Sequence, residues 1–331
     1  MDASSPALTA SQESAGPSDY IRIATNALES DIICVCETHL SGKDVISIEG
    51  YSWYGFNRQD IHYNAPKSSG GVGILVKTCI CESFNVEIVD RSFDGILALR
   101  FTNKTTEEDL IVVSCYLPPE HSTRGRDAQS FLAHLLMQIY NNCDSDSIFV
   151  CGDFNARIGN LRDTISECDT IPDRRVLDTF KNQHGQDFVD FLSDAILCVL
   201  NGRFADDEYT SISQRGKAVV DYLCVPHDTF LRCKTFKVLT VSRISEQHGL
   251  HGLLGNRSRL PDHSVIVTDF YCQRCCDTDS DQKSVSDDTV RFKLRQIPVD
   301  FMTSEIASLA IFNLITKIEA SRETQEDIDC A

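Results

Sequence analysis

Four stretches of the chain put groups that move protons, hold hard cations or donate hydrogen bonds at the ends of apolar runs. DIICVC is followed by Glu37, VVSCY closes on Tyr116, and IFVCGDFNARIG carries Asp153 and Asn155. The pair AVVDYLCV and LPDHSVIV supplies Asp221, Asp262 and His263. Residues two apart on an extended chain point the same way, so Asp153 and Asn155 present a carboxylate and an amide together. Functional side chains often sit where a rigid strand delivers them to a loop rim. Each stretch has a plainer reading as well. Asp and Asn favour turns, Glu37 can cap a turn, Tyr116 can close a core strand, and a histidine after Pro-Asp suits a surface turn.

The elements that must position these groups are mostly strands. Runs rich in Val, Ile, Leu and Cys predict strands at 32–36, 70–77, 96–101, 110–117, 147–152, 195–201, 218–225 and 264–270. Helical spacing predicts a short helix with Ile21, Ala24 and Leu28 on one face. Two longer helices are predicted at 127–140 and 174–193, the second broken near Gly185. Many strands are apolar on both sides, which suits sheets stacked in layers with helices outside. The first 18 residues read as disordered and 271–290 as a polar linker. Ile306, Leu309, Leu314 and Ile318 then mark an amphipathic helix in a C-terminal segment, 291–331.

Composition bounds the function. With 331 residues, 42% of them hydrophobic and 24% charged, the chain is ordinary for a soluble globular protein. It shows no secretory signal and no run of 18 apolar residues. Fifteen cysteines, several of them inside apolar runs, are most simply small buried hydrophobes in a reducing, nuclear or cytoplasmic compartment. A formal net charge of −18 weighs against gripping nucleic acid by bulk electrostatics. Carboxylates gathered around a divalent metal also make an enzyme acidic. The C-x-x-C at 272–275 lacks a second pair at zinc-like spacing, and no feature demands an obligate protein partner.

Taken in order, ET at 37–38, SSGGVGI at 68–74, YLP at 116–118, GDFNARIG at 152–159, LNGR at 200–203, VVDY at 219–222 and DH at 262–263 resemble the endonuclease/exonuclease/phosphatase superfamily. The resemblance is greatest to the endonuclease module of non-LTR retrotransposons, and it covers residues 19 to 270. It implies a four-layer α/β sandwich, two packed mixed β-sheets flanked by helices. It also implies a Mg²⁺-dependent phosphodiesterase, with Mn²⁺ as an alternative ion, acting on DNA and not at a membrane. Glu37 and Asp262 would hold the metal. Asp153 would transfer a proton and Asn155 would orient water and phosphate. Asp221 would fix His263 as a donor to the phosphoryl oxygen, and Tyr116 would hydrogen-bond the phosphate. Asn201 and Thr210 would support the site. Arg58, Lys67, Arg124, Arg126, Arg157, Arg174, Arg175, Arg215 and Lys217 are candidate phosphate contacts. RFKLRQIPVDFMTSEI resembles the connector that leads towards a reverse transcriptase in such elements.

The sequence departs from the family at its start. The family begins with a strand ending in Asn, upstream of a helix. Here Asn26 lies only 11 residues before Glu37, whereas a parallel strand-helix-strand connection needs about a dozen or more. Residues 19–29 therefore read as the helix, and the first strand is expected to be missing. Its neighbours would then carry unpaired backbone groups, and the metal site would lack one ligand. Two other readings remain beside the nuclease: a phosphatase or phospholipid phosphodiesterase of the same fold, and a catalytically degenerate remnant or binding module.

Overall fold

In a computed structural model, the chain divides into two compact units, Met1–Thr278 and Asp279–Ala331. The structure describes residues 29–58, 70–122, 127–164, 171–249 and 261–271. The second unit, the helical pattern from Ile21 to Leu28, the question of the first strand, the C-x-x-C, and Lys67, Arg124 and Arg126 all lie outside the described residues.

Six strands form the central sheet, in the order β4 (Phe84–Asp90), β5 (Ile96–Asn103), β6 (Asp109–Tyr116), β7 (Ser147–Asp153), β11 (Asp221–Pro226) and β8 (Leu197–Val199). β6 and β7 are parallel and the other pairs antiparallel. Over one face lie a three-stranded antiparallel sheet and an antiparallel pair. The sheet has the order β1 (Ile32–Cys36), β3 (Val72–Lys77), β2 (Tyr51–Phe56), and the pair is β12 (Cys233–Leu239) with β13 (Val265–Phe270). The other face carries helices α2 (Ala128–Asn141) and α3 (Gln183–Asp194). Short helices α1 (Thr78–Ser83), α4 (His227–Phe230) and α5 (Val241–Gln247), and a small hairpin of β9 (Ser211–Ser213) and β10 (Gly216–Ala218), complete the described elements. The architecture is the expected one of mixed sheets flanked by helices. No helix among the described residues is long and apolar enough to cross a membrane.

The central strands read as unbroken apolar runs because both of their faces are buried. On β6, Ile111, Val113 and Cys115 pack towards the helices, while Leu110, Val112 and Tyr116 pack towards the second layer of strands. β5 does the same with Ile96 and Ala98 against Leu97, Leu99 and Phe101. On α2, Ala128, Phe131, Leu132, Leu135 and Ile139 are buried at helical spacing. Burying a large apolar side chain stabilises by about 1.5–3 kcal/mol, so these interdigitated rows hold the strand ends in place.

Two expectations differ from the structure. The helix predicted over 174–193 is helical only from Gln183 to Asp194. The preceding residues form a loop that brings Asp178 and Asn182 to the GDFNAR segment. Strands β2, β4, β9, β10 and β12 were not predicted, because they are half-exposed, with polar residues such as Asn85 and Glu87, or Lys234 and Lys237, interleaved. Among the described residues β1 pairs with β3 alone, and Ile32–Cys36 are half-buried.

Candidate active site

Strand register assembles the first three groups. β6 and β7 align Tyr116 with Asp153, and β7 and β11 align Asp153 with Asp221. The three therefore form one row across three neighbouring strands. They share a parity with Val112, Phe149 and Leu223, which face the second layer of strands, so the row opens between the two layers. Gly152 makes this alignment fit. Its φ is +148°, and a Cβ there would lie 1.9 Å from the Cys115 carbonyl oxygen. We expect Gly152→Ala to cost roughly 2–4 kcal/mol, read as a lower urea midpoint, because Asp153 and Tyr116 cannot both keep their places.

Beyond the strand, Asn155 takes a left-handed φ of +46°, which Asn adopts more readily than most residues. Its backbone N–H donates to Asp153 Oδ1 at 2.9 Å and its side-chain amide donates to Asp153 Oδ2 at 3.0 Å. The same amide nitrogen also donates to the Leu117 carbonyl at 2.9 Å. Asp153 is thus held by both of its oxygens, and Asn155 is locked beside it.

Asp221 is positioned from behind. Buried Thr210 accepts through Oγ1 from the N–H groups of Val220 and Asp221, at 3.0 and 3.1 Å. Asn201 donates to the Asp221 carbonyl at 3.1 Å. The segment carrying His263 pairs with the strand after Thr210: Ile212 N–H donates to the Asp262 carbonyl and Ser264 N–H to the Thr210 carbonyl, each at 2.7 Å. This places His263 Nδ1 at 3.0 and 2.9 Å from the two Asp221 oxygens. Asp262 is exposed at the rim, one residue away.

Glu37 reaches the row from the other layer. It follows β1 with φ +51°, which breaks strand alternation and turns its carboxylate to accept a hydrogen bond from the Tyr116 hydroxyl. The turn is clamped by the paired glycines of SSGGVGI. Thr38 and His39 N–H groups donate to the carbonyls of Gly71 and Gly70, at 3.2 and 3.0 Å. At Gly71, with φ +85°, a Cβ would meet the Thr38 hydroxyl at 2.5 Å. One residue earlier, the Cys36 thiol donates across the layers to the Cys115 carbonyl at 3.0 Å.

Electrostatics separates the roles. Burial, then the negative charges of Asp221 and Glu37, push the Asp153 carboxyl well above the ordinary carboxylate range, against the opposing His263 charge and Asn155 N–H. Burial disfavours charge on His263 too. The hydrogen bond and charge of Asp221, helped by Asp153 and Asp262, outweigh it and lift His263 to about 10. Among the described residues, one group of three could offer donor atoms to a cation within 4.8 Å of one another: Asp153, Asp221 and His263. A protonated imidazole does not ligate metal, so we read the Asp221–His263 part as a hydrogen-bonded pair. Neither Glu37 nor Asp262 belongs to that group. Three carboxylates facing one imidazolium still leave a deficit of positive charge. The hard carboxylate oxygens of Glu37 are of the type that suits a divalent cation.

The family model for the endonuclease/exonuclease/phosphatase family matches residues 11–279. The chain belongs to that family. The endonuclease domain of TRAS1, a telomere-specific non-LTR retrotransposon, superposes with a TM-score of 0.51 at 14% identity, over 78% of this chain and 93% of that one. An AP endonuclease from Leishmania major gives 0.54 at 13% identity, covering 76% and 81%. A 3′-5′ exonuclease from Neisseria meningitidis gives 0.50 at 15% identity, covering 77% and 96%. At such identities the likeness establishes the fold. No curated protein matches the chain.

In this endonuclease/exonuclease/phosphatase chain, most of the described cations offered as phosphate contacts are already engaged. Arg157 grips Asp178 through Nε at 2.8 Å and Nη2 at 2.6 Å. Arg174 faces Asp163 at 3.3 Å, and Arg58 pairs with Asp94 at 3.7 Å. Arg175 donates to the Asp207 carbonyl at 3.1 Å. Arg215 and Lys217, on the hairpin beside His263, remain exposed to solvent, with the Lys217 ammonium over the Tyr209 ring at 5.4 Å. The arginine of LNGR is also structural: Arg203 forks onto Asp163 at 2.8 and 3.0 Å.

Thr38, the second residue of the ET motif, is 1% exposed and anchors the Glu37 turn. One positioning residue lies outside the motifs. Asn182 caps α3 by accepting from Gly185 N–H at 2.9 Å, and it also accepts from Arg157 N–H at 2.8 Å and donates to the Asn155 carbonyl at 3.0 Å. Its signal was local. An Asn immediately before QHGQDF is good N-cap chemistry.

Proposed function

We propose that the chain is a Mg²⁺-dependent phosphodiesterase that nicks DNA, of the kind carried by non-LTR retrotransposons, with Mn²⁺ able to replace Mg²⁺. The observation that carries this reading is the row Tyr116–Asp153–Asp221 facing Glu37 and completed by the Asp221–His263 pair. Glu37 would hold the ion, with Asp262 at the rim. When bound, the ion supplies positive charge to the phosphoryl oxygens.

The residues of the chain divide the remaining work. His263 commits Nδ1 to Asp221, which leaves Nε2–H to donate to a non-bridging phosphoryl oxygen as negative charge builds there. Asp153, whose proton affinity burial has raised, takes the proton of the attacking water, and the Asn155 amide keeps water and phosphate in line. Tyr116 steadies Glu37 and sits where a phosphate oxygen enters. Arg215 and Lys217 would meet the flanking DNA backbone, a sequence-independent contact weakened by salt.

Supercoiled plasmid tests the reading directly. We expect nicked circles to form in Mg²⁺ or Mn²⁺ and not in excess EDTA, with no release of phosphate from a phospholipid or an inositol phosphate. Cleavage of the small phosphoesters with intact plasmid would assign the site to the family's phosphatase-like chemistry. An inert protein would mark a degenerate member.

A further inference from the structure

Phe180 is the one exposed phenylalanine among the described residues, at 68%. An isolated apolar side chain on a surface is ordinary, so exposure alone assigns it nothing. Its fixtures do. The Arg157 guanidinium lies over the ring, 4.7 Å from the centroid, within the range of a cation–π contact. That guanidinium is itself held by two hydrogen bonds to Asp178. Asp178 also accepts from Phe180 N–H at 3.0 Å and from Val219 N–H at 3.1 Å. Ring, cation and backbone are locked as a unit.

The unit is tied to the site from two directions. Arg157 lies two residues beyond Asn155, and Asn182, two residues beyond Phe180, accepts from Arg157 N–H and donates to the Asn155 carbonyl. Val219 lies two residues before Asp221. The exposed ring therefore stands at the rim where β7 and β11 deliver Asp153 and Asp221. Tyr209 braces the same loop from its other side. It too carries a cation over its ring, Lys217 at 5.4 Å, but it is half-buried and its hydroxyl donates to the Leu177 carbonyl at 3.0 Å. Phe180 has no polar atom to satisfy and belongs to none of the hydrophobic clusters. What it offers is a rigid apolar face beside the site, with exposed Lys181 next to it.

We propose that Phe180 is a stacking platform for a nucleobase beside the cleaved phosphodiester, so that the substrate is DNA with an unpaired nucleotide at that place. The inference rests on the reading of the site as a DNA phosphodiesterase. Every base has a π-face, so stacking on an aromatic ring tolerates any sequence. A paired base must first leave its duplex at a cost, whereas an unpaired one pays least. Selection is therefore by pairing and not by sequence. Stacking also supplies affinity that salt does not screen, which matters on a chain of net charge −18.

Three labelled duplexes test this by fluorescence anisotropy with the full-length protein in EDTA: one fully paired, one with a single unpaired thymine, and one with the same bulge lacking its base. The parent should bind the unpaired thymine about tenfold more tightly than either of the others. Phe180→Ala should bind the two bulged duplexes alike, with an unchanged melting temperature, and Phe180→Trp should keep the preference. Equal affinity of the parent for the two bulges would overturn the platform, as would a preference that survives in Phe180→Ala or no binding to any duplex. Plasmid nicking without the preference would overturn this inference and leave the nuclease reading standing. The preference without nicking would do the reverse.

Discussion

Asp153→Asn should lower phosphodiesterase activity by about 10²–10⁴-fold, the usual worth of a positioned proton-transfer group, while relieving the metal-free protein of an unfavourable charge. Asparagine keeps the shape of the side chain but cannot accept a proton. Asp153 is 5% exposed and crowded by Asp221 and Glu37. Its folded-state pKa is raised, so its contribution to stability is fully present below the ordinary carboxylate pKa and is lost as pH rises through the raised value. The variant escapes that loss. It also forfeits one of the two hydrogen bonds from Asn155, roughly 1 kcal/mol. In EDTA, melting temperatures of parent and variant measured from pH 4 to pH 8 should therefore converge or cross in favour of the variant as pH rises. A parallel pair of curves would remove the basis for treating Asp153 as a strained carboxylate, and full nicking by the variant would remove it from the mechanism.

Asp221→Asn should move the alkaline limb of the activity profile. In the parent, His263 keeps its proton up to about 10, so activity that needs the imidazolium falls only as pH rises through that value. Without the Asp221 charge, His263 returns towards the ordinary histidine value near 6.5, and at pH 8 only about one molecule in thirty carries the charged ring. The loss should be largest at high pH and partly recovered at pH 6. His263→Ala should lose about 10²–10⁴-fold at every pH. Stability follows the same linkage. The raised His263 pKa contributes stability fully present below 6.5 and lost as pH rises to about 10, so the variant should lack that slope. An unchanged alkaline limb in Asp221→Asn would dissociate the two residues.

Motif order singled out Tyr116, Asp153, Asn155, Asp221 and His263 as candidates, and Tyr116 and Asp153 end strands whose apolar runs are conspicuous because they are largely buried. The structure brings Tyr116, Asp153 and Asp221 into one row and His263 onto Asp221. It leaves Asp262 exposed at the rim and ties Glu37 to Tyr116. What composition could not show was pairing between distant segments. Arg157 and Arg174 read as candidate phosphate contacts until Asp178 and Asp163 come to meet them from loops. The half-exposed strands were missed for a related reason. β4 and β12 gain their partners from the sheet, and their own sequences alternate too weakly to announce it.

The strands that deliver Glu37, Tyr116 and Asp153 each carry a cysteine one or two residues earlier: Cys36, Cys115 and Cys151. Burial pushes the Cys36 and Cys115 thiols well above the ordinary thiol range, so they stay protonated and slow to alkylate. Cys79 and Cys143, by contrast, are exposed. The chain therefore carries its own clock. Modification of this exposed pair marks the start of an alkylation time course, and later modification of fully buried Cys115 dates each parting of the two layers that enclose the site.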